Sequence, residues 1–450
     1  MITSQGSKAR EHKLAGDAVR SFNLLYLVHR LPYPPDKGDR IRNFHIIRHL
    51  SQHANIDLAC LADEEVSDQT RKALERYCRR VAIVNQPGWK KWSQAFIYLG
   101  RGRTATEGAF HSRSLHCLVR TWGSNTRYDA CLASSSAMTP YLQCPELNST
   151  PSVVDLVDVD SQKWLDFAKL SRGLRSRVYQ LEGNRLRRLE QNLPSWIRAV
   201  TLISEPEADL FRSFATPGSV ATITNGVDQD YFRPVTSSAE NGCVFVGALD
   251  YLPNVDAARW FCQYVWPEIH RHCPDSRLRL VGRQPGLEVQ RLGAIPGVDV
   301  VGTVPDVRPY LSQAAVVVAP LRLARGVQNK VLEALAMGKP TVASPEALEG
   351  LKEPKQLPAI RASTYQEWID AIIDLLDNAQ RRQEAGTKGR QYVEEHYNWD
   401  RNLDRLNDLL GIPRPEIAAS KGTNGNAPRH SPPAHSGHTG KLPARAIVEK

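Results

Sequence analysis

Short, wholly apolar runs alternate along the chain with longer stretches in which apolar residues recur at helical spacing. In the first half the runs are NLLYLVH (23–29), IDLACLA (56–62), VAIV (81–84), DACLAS (129–134), SVVDLVD (152–158) and AVTLIS (199–204). They are not split into an apolar and a polar face, which predicts parallel strands covered on both sides. Helices are predicted between them, among them 39–53, 68–79 and a long charged one from Ser161 to about Leu193. The pattern restarts after Asn225–Gly226 with CVFVG (243–247), RLRLVG (277–282), VDVV (298–301), AVVVAP (315–320) and PTVAS (340–344), and with helices over 254–273 and 325–337. Two successive strand–helix series predict an α/β protein of two Rossmann-like, doubly wound domains facing a central cleft. In such sheets ligands gather beyond the carboxyl ends of the strands.

One stretch concentrates chemistry in that position. VVVAPLRLARGVQNKVLEALAMGKPTVAS (316–344) reads as a strand, a loop holding Gly326, a helix and a second strand. Lys330 and Glu333 lie one turn apart near the helix start, and Gly338–Lys339–Pro340 ends the helix. A cation and a carboxylate beside free helix N–H groups suit a phosphorylated sugar nucleotide. On spacing alone, an ordinary strand–helix–strand unit with a surface ion pair explains the same letters equally well.

A length of 450 residues favours two domains plus tails. Segments 1–21 and 412–450 are poor in large apolar residues and are expected to be disordered. No apolar run approaches the roughly 20 residues that span a bilayer, and the N-terminus lacks the apolar core of a signal peptide, so a cytoplasmic location is expected. The eight cysteines form no CxxC pair; Cys60, Cys131 and Cys243 fall inside apolar strands as small hydrophobes. The net charge of +10 suits nucleic acid, an anionic membrane or phosphorylated small molecules. No nucleic-acid-binding pattern is visible, so no nucleic acid partner is expected. Segment 88–127 carries seven Lys/Arg against the single acid Glu107, interleaved with Trp89, Trp92, Phe96, Tyr98, Phe110 and Trp122. It is a candidate anionic-membrane surface, and a solvated face over buried aromatics fits equally.

Several motifs together carry a resemblance. They are HRLPYPPDKGDRIRNFHIIRHL (29–50), VDVDSQKW (157–164), ISEPEADLF (203–211), TNGVDQDYFRP (224–234), FVGALDYLPNVDA (245–257), LVGRQPG (280–286), GTVPDVRPYLSQA (302–314) and residues 320–350. In this order over about 22–411, the chain resembles the retaining GT-B glycosyltransferases of family four, and more narrowly the sugar transferases of bacterial exopolysaccharide and PEP-CTERM loci. The resemblance implies an acceptor-binding domain over 22–225, a nucleotide-sugar-binding domain over 226–398, and a terminal helix, 399–411, returning to the first domain. It implies transfer of a sugar from a nucleotide-diphosphate donor, with retention and without metal or cofactor, to a hydroxyl of a lipid-linked glycan at the inner face of the cell membrane.

Residue by residue, the resemblance implies that Glu333 holds the ribose hydroxyls and that Lys330 approaches the diphosphate. Gly326 and Val327 offer backbone N–H groups, Gly302, Val304 and Asp306 meet the base, and Gly247 and Asn329 complete the donor set. The pattern departs at Arg325, which replaces a glutamate near the reacting centre, and in ALDYLPN after Gly247, where an Arg and a Lys are usual. Arg283, with Arg322 or Arg325, is the expected substitute. On the acceptor side Gly38, Asp39 and Arg40 open a helix at the cleft, although Arg40 and Arg42 read equally well as solvated. Asp158 is placed to orient the acceptor hydroxyl or take its proton, whereas Asp160 reads first as a helix cap. Asp158–Val159–Asp160 has the letters of a DxD metal motif but lies in the acceptor half. A sugar-nucleotide epimerase on the same fold and a non-catalytic sugar-nucleotide-binding partner stay open as alternatives.

Overall fold

The computed structural model describes residues 21–35, 38–235, 242–324, 326–352 and 356–413. The first sheet contains β1 (Asn23–Val28), β2 (Asn55–Ala62), β3 (Arg80–Asn85), β4 (Ala130–Ser134), β5 (Ser152–Val157), β6 (Ala199–Leu202) and β7 (Val220–Thr222). The second contains β8 (Gly242–Val246), β9 (Arg277–Val281), β10 (Val298–Gly302), β11 (Val316–Ala319), β12 (Thr341–Ala343) and β13 (Ile360–Arg361). Strand order is β3-β2-β1-β4-β5-β6-β7 in one and β10-β9-β8-β11-β12-β13 in the other. Every neighbouring pair is parallel. Leu24 to Val28 and Val316 to Ala319 are buried, as a strand covered by helices on both faces requires. The order reverses between β1 and β4 and again between β8 and β11. At those points the crossovers leave to opposite sides and open a crevice at the strand ends.

The structure differs from the pattern reading where the chain is short or turns sharply. β7 and β13, three and two residues long, are too brief to register as apolar runs. The helix expected from Ser161 to Leu193 is two, Asp160–Leu170 and Gly173–Asn192, broken where Gly173 takes a φ of +64°. The helix expected from residue 325 begins only at Asn329, because Gly326 at φ +61° is left-handed and cannot lie in it.

The last helix, Trp399–Leu410, packs its Trp399, Leu403, Leu406 and Leu410 into the core of the first sheet, with Leu24 and Phe44. Trp399 stacks on His45 with ring centroids 4.3 Å apart, and burial pushes the His45 imidazole down to about 3, so it is neutral. The chain thus passes between the two sheets twice. The crossings touch: Val227 N–H donates to Tyr397 O (2.9 Å) and Asn402 Nδ2 to Asn225 O (2.9 Å).

Candidate active site

The crevice of the second sheet lies between the ends of β8 and β11. Beyond β8 sits Gly247, where a Cβ would come 2.9 Å from Asn254 Nδ2 and 3.1 Å from Lys330 Nζ. The absent side chain leaves room for those two groups at the strand end. Asn254 belongs to the helix Leu252–Trp260, and its amide is aimed by an Nδ2 bond to Ala248 O (2.9 Å). Lys330, in the first turn of the helix Asn329–Ala336, donates to Asn254 Oδ1 (2.5 Å) and lies over the Phe245 ring at 5.1 Å. Burial pushes its ammonium down to about 8, against the raising effect of Glu333 one turn on. A desolvated cation hydrogen-bonded to a neutral amide is a poor resting state and a good seat for an anion.

The loop after β11 brings the two domains into contact. Gly326 lies so near Asp158 that a Cβ there would collide with the carboxylate, and Ile203 closes the same side. Asp158 follows β5 through Val157, whose φ of +70° is a strained value for a β-branched residue. Ser135 after β4 (φ +78°) and Gln284 after β9 (φ +52°) are the other left-handed non-glycine residues described. All three lie at or just past the carboxyl ends of strands, where strain concentrates at working sites.

A buried chain of hydrogen bonds ties the first sheet to the Asn329–Ala336 helix. Arg42 is 1% exposed and forks onto Asp155 of β5, with Nε to Oδ2 and Nη2 to Oδ1 both 2.8 Å. Thr201 Oγ1 also donates to that carboxylate (2.7 Å). Burial opposes the Arg42 charge, but Asp155 more than compensates and holds its pKa above the ordinary value. Arg42 Nη1 then donates to Asn225 Oδ1 (2.9 Å), and Asn225 Nδ2 to Asn329 Oδ1 (3.1 Å). A Cβ on Gly38, at the start of the helix Gly38–Leu50, would lie 3.8 Å from Asn329 Nδ2, so this turn of the first domain closely faces the helix Asn329–Ala336.

The remaining candidates are spread around this centre. Asp39 accepts from Arg30 Nη1 (3.0 Å) and lies 3.6 Å from His29 Nε2. Burial would raise its carboxyl, yet those two partners hold it well below the usual range. Arg40 is buried and donates to Glu64 Oε1 (2.5 Å); neither it nor Arg42 is solvated. Asp306 is forked by Arg308, with its Nη2 at 2.7 Å. Arg322 is forked onto Asp256 at 2.9 and 2.5 Å, which occupies the guanidinium edge a phosphate would need. Arg283, half-buried, follows Gly282 and is held through its carbonyl by Leu249 N–H (2.9 Å). Gly302 ends β10 at φ +75°, Val304 packs on the second-domain core, and Val327 is buried. Glu333 is half-buried on the helix Asn329–Ala336, and Arg325 lies outside the described residues.

Sequence reasoning passed over Asn254, Asn225 and Lys163, and left Arg42 open between the cleft and solvent. The two asparagines lie inside motifs singled out above, but asparagine in a loop or a first helical turn reads as a turn or cap residue. Lys163 donates to Asp160 Oδ1 (3.4 Å), whose charge holds the ammonium above its ordinary value, and Tyr251, just before the helix Leu252–Trp260, is close enough to act on it too. Asp160 also accepts from Ser136 Oγ (3.1 Å), so its carboxylate serves the cleft side of its helix.

Comparison with known proteins fits this geometry. Residues 240–378 match the family described as glycosyl transferases group 1. No curated protein matches the chain. Sucrose-phosphate synthase from Thermosynechococcus elongatus is similar in structure, with TM-score 0.60 and 16% identity over 86% of this chain and 98% of that one. HepE of Anabaena in complex with UDP and glucose gives TM-score 0.60 and 14% identity over 86% of this chain and 99% of that one. WaaG, a glycosyltransferase involved in lipopolysaccharide biosynthesis, gives 0.58 and 14% over 86% and 100%. The chain has the GT-B fold, and the crevice of Gly247 and Lys330 lies within the residues that match the group 1 glycosyl transferases.

Proposed function

We propose that this protein transfers a sugar from a nucleotide-diphosphate donor, with retention and without a metal, to a hydroxyl of a lipid-linked glycan of the cell envelope or exopolysaccharide. The observation that carries the reading is Lys330: a half-buried, desolvated ammonium at the switch point of the sheet that matches group 1 glycosyl transferases, bonded to a neutral amide. In this reading the bond from the anomeric carbon to the diphosphate oxygen breaks, and the nucleoside diphosphate leaves. Lys330 and the Gly326 and Val327 N–H groups stabilise the charge that develops on it. The acceptor oxygen bonds to the anomeric carbon, and its proton passes to the departing phosphate. Glu333 accepts from the ribose hydroxyls. Asp158, against Gly326 on the opposite wall, orients the acceptor hydroxyl. Anabaena HepE, solved with UDP and with UDP-glucose, favours a uridine donor as the first to try.

The test is incubation with labelled UDP-, GDP- and ADP-sugars and a bacterial lipid extract, the anomeric configuration of the product being read by NMR. Transfer with retention to extract lipid is expected. Free epimerised sugar would assign an epimerase instead, and binding without turnover across all donors would assign a non-catalytic partner.

A further inference from the structure

The helix Gly88–Gly100 leaves Trp89, Trp92 and Phe96 between 69% and 73% exposed. Their spacing of three and four residues sets them on one face. The helix Gly173–Asn192 does the same with Leu174, Val178 and Leu181, and Leu174 is 77% exposed. The two helices are fastened together. Arg185 Nη1 donates to Leu99 O (2.6 Å) and Arg103 O (2.8 Å), and the Glu182 carboxylate accepts from Ala105 N (2.6 Å) and Thr106 N (2.8 Å). Large apolar side chains on two adjoining helices are thus left uncovered together.

Charge distinguishes what covers them. Neither 86–106 nor 167–181 contains one Asp or Glu, while together they hold eight Lys and Arg. Three of these, Lys91, Arg103 and Lys169, are bridged to Asp63, Glu107 and Asp166 at the borders of the face. An apolar face with such an excess of cations is the arrangement that seats a helix at an anionic lipid surface, with rings at the acyl boundary and cations among the phosphates. The rest of 88–127 does not share this face. Arg120 is paired with Glu146 (2.9 Å), and Arg80 covers the Trp122 ring at 4.5 Å. The face also adjoins the acceptor side. Lys91 lies over the Phe110 ring (4.7 Å), Phe110 meets His29 edge-on (5.4 Å), and His29 lies beside Asp39.

We propose that the exposed faces of Gly88–Gly100 and Gly173–Asn192 together form a docking surface for an anionic phospholipid bilayer. This goes beyond the transferase reading, and its test needs no turnover. The full chain is sedimented with vesicles of phosphatidylglycerol and phosphatidylcholine in equal parts, and with phosphatidylcholine alone. Partition is expected to be roughly tenfold stronger on the anionic vesicles and to weaken steeply with added salt. Tryptophan emission should shift to the blue on binding. A Trp89→Ser/Trp92→Ser/Phe96→Ser variant and a Leu174→Ser/Leu181→Ser variant should each lose roughly tenfold in partition. Circular dichroism and nucleotide affinity, both unchanged, serve as folding controls. Equal partition on both vesicle types, or variants that partition like the parent, overturns the proposal. So does light scattering that shows a dimer abolished by these same substitutions, which would give the face to a second copy of the chain.

Discussion

The two sheets open the same kind of crevice and furnish it in opposite ways. In the first domain each named cation beside the switch point already has an anion: Arg42 has Asp155, Arg40 has Glu64 and Arg30 has Asp39. In the second, Lys330 donates to an uncharged amide and is desolvated enough to lose much of its basicity. Both crevices sit at equivalent points of equivalent topologies, so the fold alone does not make an anion site. The state of pairing does. A guanidinium already forked by a carboxylate has its charge met, whereas a desolvated ammonium bonded to a neutral amide gains from any phosphate that arrives.

That contrast can be broken from its stronger end. Arg42→Met leaves Asp155 buried without its cation and should cost about 3–5 kcal/mol in urea unfolding. A loss under 1 kcal/mol would mean that the crevice of the first sheet is not internally neutralised. Lys330→Ala should leave unfolding nearly unchanged while donor turnover falls roughly 10²–10³-fold. Turnover at the parent rate in the folded variant would remove the donor assignment.

Titration sharpens the same point. Because burial holds Lys330 near 8, its ammonium is present below that pH and lost above it. UDP affinity by calorimetry should therefore fall about fourfold between pH 7 and 8.5, and Lys330→Arg should abolish the dependence. Smallest of all is Glu64→Gln. Glu64 is 43% exposed, so removing its charge from Arg40 should cost under about 1 kcal/mol. A larger loss would show that Arg40 is as dependent on its partner as Arg42.

The strands were legible because burial on both faces leaves no polar alternation, and β1, β2 and β11 read directly as apolar runs. Lys330 and Glu333 were legible as a pair because a helix brings neighbours one turn apart together. Their surroundings were not, since the partners are remote in sequence. Asn254 lies 76 positions from Lys330, and Asp155 lies 113 from Arg42. On letters alone Arg42 is one more arginine on a charged helix, and only the folded sheet shows that it faces inward. The helix start was misplaced by four residues because Gly326 carries a backbone conformation that no apolar period encodes.

The return of Trp399–Leu410 to the first sheet has a consequence for the order of assembly. Apart from Ile203, the second core is drawn from one continuous stretch, Val227 to Tyr397, but the first lacks Trp399, Leu403, Leu406 and Leu410 until residues 399–410 have been made. A ribosome that has synthesised the first domain's sheet must still add the whole second domain before the lid of the earlier core exists. The domain begun first is finished last, and chains stalled before residue 399 should be cut by protease within the first domain while the second is already protected.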